Sequence, residues 1–239
     1  MSKRCALTAA AALLVAAAPA TSQVITSPYD FVERGIGFYG YGTYIFADRG
    51  TIGTGPGSGP AAGVGFAIRV TGPFTFDSRV ALFPTSRTVY DRDDAEIPPE
   101  QIREDPMVGL VEEGTADLTL LLTDASLRFD ITGPRTWNNI QPYALLGLGG
   151  AFSVAADHSP EEEIRDDVDL RVRFRTGFTG HVGVGAEWFL GQRHTIRLDA
   201  RNLFWRLHVP PGFITPARLI DDREWTQAFN LSLGASFRL

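Results

Sequence analysis

Apolar and polar side chains alternate along much of this chain. In the clearest run, residues 225–239, the odd positions from Trp225 to Leu239 are mostly apolar and the even positions, such as Asn230 and Ser232, are mostly small and polar. Successive side chains on a strand point to opposite faces, so this run predicts one strand with an apolar and a polar face. It is longer than the roughly 5–6 residues typical of soluble sheets. It suits a tilted strand that crosses a bilayer, which needs about 9–11 residues.

The same period recurs and predicts eight strands. In the sixth, apolar residues from Phe174 to Trp188 share one face, and Arg175, His181 and Glu187 share the other. Because alternation is weak in any single barrel strand, its repetition supports the prediction. The predicted strands cover residues 34–46, 62–71, 74–83, 116–131, 141–154, 170–190, 194–205 and 224–239.

The predicted connections alternate between short and long. This order puts the short turns and both chain ends on one side, as in bacterial outer-membrane barrels. We therefore predict an all-β fold, an eight-stranded antiparallel up-and-down transmembrane β-barrel. The alternative is a soluble periplasmic ligand-binding barrel with its apolar face inward. The short connections are Gly72-Pro73, the segment around Gly133-Pro134 and 191–193, and the long ones are 47–61, 84–115, 155–169 and 206–223.

The first residues have the pattern of a secretory signal peptide. Lys3 and Arg4 precede an apolar stretch from Cys5 to Ala18, and Ala-Pro-Ala at Ala20 forms a cleavage site. We predict export to the bacterial outer membrane. The predicted organisation is a signal peptide at 1–20, a periplasmic lead at 21–33 and the barrel at 34–239.

The net charge and the cysteine and lysine content of the chain argue against some classes of function. The chain has a net charge of −6, so nucleic acid is a poor partner. Cleavage after Ala20 would remove Cys5, the only cysteine, which leaves no disulfide framework or thiol chemistry in the mature chain. It would also remove Lys3, the only lysine. Water-facing surfaces usually carry lysine, so its absence is consistent with a membrane protein.

The long connections differ in character. Residues 47–61 are rich in Gly, Pro, Ser and Thr, which predicts a flexible coil. Segments 84–115 and 155–169 are acidic, which predicts a solvated, self-repelling surface. Capture of divalent cations that bridge to lipid phosphates is the alternative. Neither segment has the Asp/Asn/Gly spacing of a calcium loop, and we predict no metal site.

Aromatic residues lie near both ends of the predicted strands. Two such belts are expected at the membrane interfaces, whereas a soluble core would favour aromatics at strand middles. Further aromatics at the turn ends are Phe74, Trp137, Tyr143 and Phe189. The predicted interfacial anchors are Phe46, Trp188, Phe204, Trp205, Trp225 and Phe237.

The polar faces of the strands fit the narrow interior of an eight-stranded barrel, which side chains just fill. Unpaired charge there would be costly, so we predict cross-strand pairs that close the lumen, with a switchable ion gate as the alternative. We also expect Leu231→Arg and Phe229→Arg, on the lipid side, to be costly, and Ser232→Arg, on the lumen side, to be milder. The predicted lumen charges are Arg69, Asp77, Arg79, Arg128, Asp130, Glu187, Arg197, Asp199, Arg201 and Arg238.

Three segments resemble small OmpA- and OmpW-like outer-membrane barrels. Residues 142–150, PYALLGLGG, look like the family's PY-x-x-x-G-x-G strand, and residues 182–189, VGVGAEWF, resemble its G-x-G-x-E-aromatic strand. Residues 198–201, LDAR, are similar to the strand that follows. The last strand resembles the signal read by the barrel-assembly machinery, although it ends in Phe237-Arg238-Leu239 rather than in Phe. The resemblance implies an eight-stranded barrel whose partners are outer-membrane lipid and that machinery.

The residues do not indicate an enzyme. The four histidines, His158, His181, His194 and His208, form no recognisable nucleophile–base set or ligand motif, and no cofactor is predicted. The favoured function is a monomeric barrel with a structural or surface-interaction role. A narrow gated channel for small solutes or ions is the alternative, and a lipid-modifying or proteolytic barrel is a third possibility.

Overall fold

The computed structural model describes residues 36–51, 53–92, 100–101, 108–157, 174, 177–191, 193–209 and 223–238. These residues form eight antiparallel strands, each paired with the next, and the last pairs with the first to close a barrel. The predicted fold class is confirmed. The strands are β1 (Ile36–Ala47), β2 (Gly59–Thr71), β3 (Phe74–Arg92), β4 (Leu110–Asp130), β5 (Ile140–Ala156), β6 (Gly177–Phe189), β7 (His194–His208) and β8 (Arg223–Arg238).

Parts of the predicted organisation lie outside the described residues. Residues 1–35, with the predicted signal peptide and periplasmic lead, are among them, as are most of 155–169 and the first part of the predicted sixth strand. Within the described ranges, no helix is long and apolar enough to cross a membrane.

Strands β3 and β4 extend well beyond their predicted ends. Part of 84–115, predicted as a loop, is a continuation of this pair, with Arg87 opposite Ala116 and Arg92 opposite Leu110. Pro84 lies within β3 but beyond Leu82, the last residue of β3 that pairs with β2. One edge of β3 is unpaired there, where proline is tolerated.

The outer wall of the barrel is apolar and the interior is largely polar. Val64, Leu146 and Leu233 point outward with 66%, 64% and 61% of their surface exposed, whereas Asp77 and Arg201 are fully buried. This is the reverse of a soluble barrel, which buries its apolar face. Since a wall of exposed aliphatic side chains is stable in hydrocarbon and not in water, the strands form a transmembrane barrel rather than the soluble alternative.

The short turns gather at one end of the barrel, as predicted. Gly72-Pro73 joins β2 to β3, and Gly72 adopts a φ of 51°, which glycine reaches without the strain of a side chain. Residues 131–139 and 190–193 make the other two connections at this end. We call it the turn end and the opposite end the loop end.

Residues 48–51 and 53–58, which we call L1, fold over the loop end instead of forming the predicted flexible coil. Residues 54–57 are buried, and the Gly57 amide donates to the Ser86 carbonyl at 2.8 Å. On the other side, the Thr51 amide donates to Glu224 Oε1 at 2.7 Å. The small residues that suggested disorder permit this packing, because a Cβ on Gly55 would lie 2.8 Å from Leu207.

Most of the aromatic anchors line the outer wall. Phe46, Trp188, Phe204, Trp225 and Phe237 are exposed on it, and so are Phe74 and Trp137. The prediction for Trp205 was wrong, because its side chain is 3% exposed and lies inside the barrel. Trp205 follows Phe204 on β7, and consecutive strand residues face opposite sides. For the same reason, Tyr143 and Phe189 lie inside.

Candidate functional site

Two clusters of charged side chains fill the interior of the barrel, one at the turn end and one in the middle. The first, the turn-end cluster, is a chain of five side chains of alternating charge. Arg69 reaches Asp130 at 2.9 Å, and Arg128 Nε binds the other oxygen of Asp130 at 2.8 Å. Arg128 also holds both oxygens of Glu187, at 2.6 and 3.2 Å, and Arg238 reaches Glu187 at 2.9 Å. The Arg128–Glu187 pair has the two-pronged geometry that makes such hydrogen bonds strong.

The second, the central cluster, begins at Arg197. Its guanidinium lies 2.5 Å from Asp77 Oδ2 and 2.9 Å from Asp199 Oδ2. Tyr39 donates to Asp77 at 2.9 Å, and Tyr143 donates to Asp199 at 2.5 Å. Each carboxylate therefore has a cation and a phenol as partners, which offsets the cost of removing it from water.

Arg201 extends the central cluster toward the loop end. It lies 3.4 Å from Asp77 and 3.2 Å from Asp124. Arg79, opposite Asp124 on the neighbouring strand, binds that carboxylate at 2.5 Å. Asp124 thus completes a chain of opposite charges from Arg197 to Arg79.

Tyr143 connects the two clusters. The Arg128 guanidinium lies 4.4 Å from the centre of its ring, and that of Arg197 lies 5.2 Å from it. The Arg197 Nε also donates to the Tyr143 hydroxyl at 2.8 Å. Cations near an aromatic face are attracted to the ring, so Tyr143 keeps the two arginines in place without an added negative charge.

Inward-facing glycines make room for these large side chains. Gly185 is opposite both Tyr143 on β5 and Asp199 on β7, so the hydrogen bond between them passes over a position that lacks a side chain. Gly65 is opposite Tyr39 in the same way, and a Cβ there would lie 2.5 Å from its hydroxyl. Alternation of very small and very large inward residues is how this narrow lumen is filled.

We expect Gly185→Ala to lower the free energy of unfolding by about 1–3 kcal/mol, as overpacking of a filled core does. The added Cβ would lie 2.5 Å from both the Tyr143 hydroxyl and the Leu198 carbonyl oxygen. Gly180→Ala on the same strand is the matched control, because nothing lies within 4 Å of its Cβ position. Urea unfolding in lipid vesicles measures both, and equal stabilities would contradict a tightly filled interior.

His181 also lies in the central region. Ser126 Oγ is 2.7 Å from His181 Nε2, and the nearest carboxylate oxygen, on Asp124, is 4.0 Å from that same nitrogen. A catalytic triad instead places the carboxylate at the other ring nitrogen. Ser126 and His181 are each 2% exposed, so the pair serves as a buried polar contact in the lumen wall.

Above the ion clusters the interior becomes apolar. Leu118, Leu120 and Leu122 point inward from β4, against inward residues from the opposite wall. L1 covers this layer from the loop end. We call the layer the apolar plug, and its buried members include Ile45, Phe83, Leu118, Leu120, Leu122, Leu203 and Trp205.

Two small spaces lie between these layers in the described part of the chain. A cavity of about 30 Å³ lies beside Arg69, Arg128 and Arg238 in the turn-end cluster. Another of about 10 Å³ lies beneath the apolar plug, beside Asp124 and His181. A single water needs roughly 10–15 Å³, so each space has room for one or two waters and neither is a pore.

The structure places all the predicted lumen charges inside the barrel and joins each to an opposite charge. Sequence reasoning missed Asp124, although it falls on the same side of β4 as Arg128 and Asp130. It also missed the hydroxyls of Tyr39 and Tyr143. Of the four histidines, His158 is not described, and the described residues contain no group of three metal-ligating side chains.

Comparison with solved structures shows the kind of barrel this is. The outer membrane protein OprG from Pseudomonas aeruginosa is similar over 88% of this chain and 98% of its own, with a TM-score of 0.54 and 13% identity. The fold is that of a small outer-membrane β-barrel. This agrees, at the level of fold, with the resemblance drawn from the sequence motifs.

Two other small barrels have lower scores. Neisserial surface protein A is similar over 86% of this chain and 97% of its own, with a TM-score of 0.47 and 14% identity. Outer membrane protein W of E. coli is similar over 87% of this chain and 99% of its own, with a TM-score of 0.47 and 14% identity. No protein-family model and no curated protein sequence matches the chain.

Proposed function

We propose that this chain is a closed barrel of the bacterial outer membrane that does not conduct and acts through its outer wall and loop-end surface. The observation that carries the proposal is the filled lumen. Two ion clusters, the apolar plug and L1 succeed one another along the barrel axis. An ion in transit would have to break several buried Arg–carboxylate contacts and then cross an apolar layer, and each step is costly.

The loop-end surface suits a role in contact with the surroundings of the cell. The hairpin of β3 and β4 extends past the last pairs of the neighbouring strands, to Arg92 and Leu110. Its described surface bears the acidic side chains Glu112, Glu113 and Asp117. Such a hairpin presents a fixed acidic face to solvent, whereas the barrel beneath it supplies anchorage. The proposed role is therefore structural or in surface interaction, and not transport.

Planar-bilayer recording tests this proposal. We expect the purified barrel, shown to be folded by a heat-modifiable band, to give no discrete current steps at either polarity. Steps that disappear in Glu187→Gln, at the turn-end cluster, would overturn the proposal in favour of a gated channel. Steps that persist in that variant would overturn it in favour of an open pore.

A further inference from the structure

A basic patch lies on the outer wall at the loop end of β7 and β8. Arg206 and His208 point outward from β7, and Arg223 points outward from β8 directly opposite His208. Arg206 is opposite Trp225, one of the exposed wall aromatics. The charges of this patch contrast with the acidic hairpin of β3 and β4 at the same end of the barrel.

The aromatic residues give the depth of the patch in the membrane. Trp225 and Phe204 are exposed on the wall, at the level where aromatic side chains meet the lipid headgroups. Arg206 is level with Trp225, His208 and Arg223 lie two residues further toward the loop end, and a strand rises about 3.3 Å per residue. Their side chains therefore lie at the level of the headgroup phosphates of the outer leaflet, because the longer loops of such barrels are extracellular.

Arg206 is held in position by its neighbour. Its guanidinium lies 5.6 Å from the centre of the Trp225 ring, which is within the range of a cation–π contact. A guanidinium over an aromatic face keeps its outer N–H groups free to donate. Those donors match phosphate oxygens in geometry and charge.

A second polar feature lies on the same stretch of wall. Asn202 donates to Gln227 at 3.3 Å, with both amides on the outward faces of β7 and β8. Phe204 and Gln227 are opposite each other in register, so this amide pair is next to the aromatic level and deeper than the patch. Side-chain amides at that depth are placed to form hydrogen bonds with the ester or amide linkages that join acyl chains to a lipid headgroup.

We propose that the wall formed by Arg206, His208, Arg223, Trp225, Asn202 and Gln227 is a binding site for one phosphorylated lipid of the outer leaflet. The arginines and His208 bind its phosphate, Trp225 packs on the headgroup, and the amide pair binds the acyl linkage below. This inference goes beyond the proposed function and does not depend on a closed lumen, since binding to the wall and conduction through the lumen are measured separately.

The test uses diphosphoryl lipid A and its dephosphorylated form as probes. Each is titrated onto the full barrel in detergent, and the retained lipid is counted by native mass spectrometry. We expect Arg206→Gln with Arg223→Gln to weaken retention of diphosphoryl lipid A by about 30-fold, given roughly fivefold for each arginine near an anionic lipid surface. The matched control is Arg135→Gln with Arg193→Gln, which removes two exposed arginines at the turn end.

The outcomes separate lipid from other anions. All variants must first show the heat-modifiable band of a folded barrel. Equal retention by the two double variants, or equal retention of the dephosphorylated lipid by the unmodified chain, would overturn the proposal. Displacement of the lipid by millimolar inorganic phosphate alone would also overturn it, because the site would then bind any phosphate rather than a lipid.

Discussion

Replacing Arg197 with methionine is expected to lower the free energy of unfolding by about 3–5 kcal/mol, the largest single loss we anticipate. Methionine keeps most of the apolar stem but removes the cation that holds both Asp77 and Asp199. Two carboxylates would then share Arg201 as their remaining cation, at 3.4 and 3.7 Å. The cost arises because a buried charge that loses its partner is not rehydrated.

Urea unfolding in vesicles, followed by the heat-modifiable band, measures this loss. Arg193→Met is the control, because Arg193 is exposed at the β6–β7 turn and its replacement should change stability by no more than about 0.5 kcal/mol. If the two variants differed by less than 1 kcal/mol, the central cluster would be a superficial contact and the description of a filled lumen would be wrong.

Leu231→Arg is expected to cost about 2–4 kcal/mol, the range for an arginine at the middle of the lipid-facing wall. Leu231 lies in the middle of β8 and 45% of its surface is exposed to the outside. The matched control is Leu231→Met, which keeps the apolar contact and should cost less than about 1.5 kcal/mol. Refolding into vesicles measures both, and equal tolerance of arginine and methionine would contradict a lipid-facing position.

For Ser232, the residue next to Leu231, the structure leads to a different expectation from the one drawn from the sequence. From the sequence, Ser232→Arg is expected to be the milder change if the lumen has room. Ser232 is 1% exposed, and its hydroxyl lies 3.0 Å from Thr43 Oγ1 and 2.8 Å from Asn230 Oδ1. An arginine at this position would overpack the interior. Its charge would meet no carboxylate among the neighbours of Ser232 named above, which are a hydroxyl and an amide. We therefore expect Ser232→Arg to be at least as costly as Leu231→Arg.

The parts of the fold that alternation predicts well are those where the two faces differ sharply. Along β7, charged residues such as Arg197 and Asp199 alternate with Ile196 and Leu198, so strand and facing could both be read from the sequence. Residues 84–115 are predicted as one long connection, because a local pattern cannot show that β3 and β4 pair past the end of β2.

The sequence predicted which residues belong to the candidate site better than it predicted which of them contact one another. The alternation of side chains between the two faces of each strand indicated which charges face inward. Applied to β4, the same alternation would have found Asp124. It could not show that Arg197 joins Asp77, because this contact crosses the barrel between β7 and β3, which are distant in sequence. The apolar plug was missed because Leu120, Leu121 and Leu122 are apolar on both faces, which removes the alternation.

The polar interior also constrains how the barrel enters a bilayer. The hairpin of β3 and β4 has Asp77 and Arg128 on its inward face, and their partners Arg197 on β7 and Glu187 on β6 come later in the chain. If this hairpin crossed the bilayer alone, Asp77 would face hydrocarbon without its arginine partners on β7, at a cost of roughly 2.5–3.5 kcal/mol. Stepwise entry, one hairpin after another, is therefore unfavourable. The strands must curl together before or during entry, so that their charges meet one another and never the acyl chains.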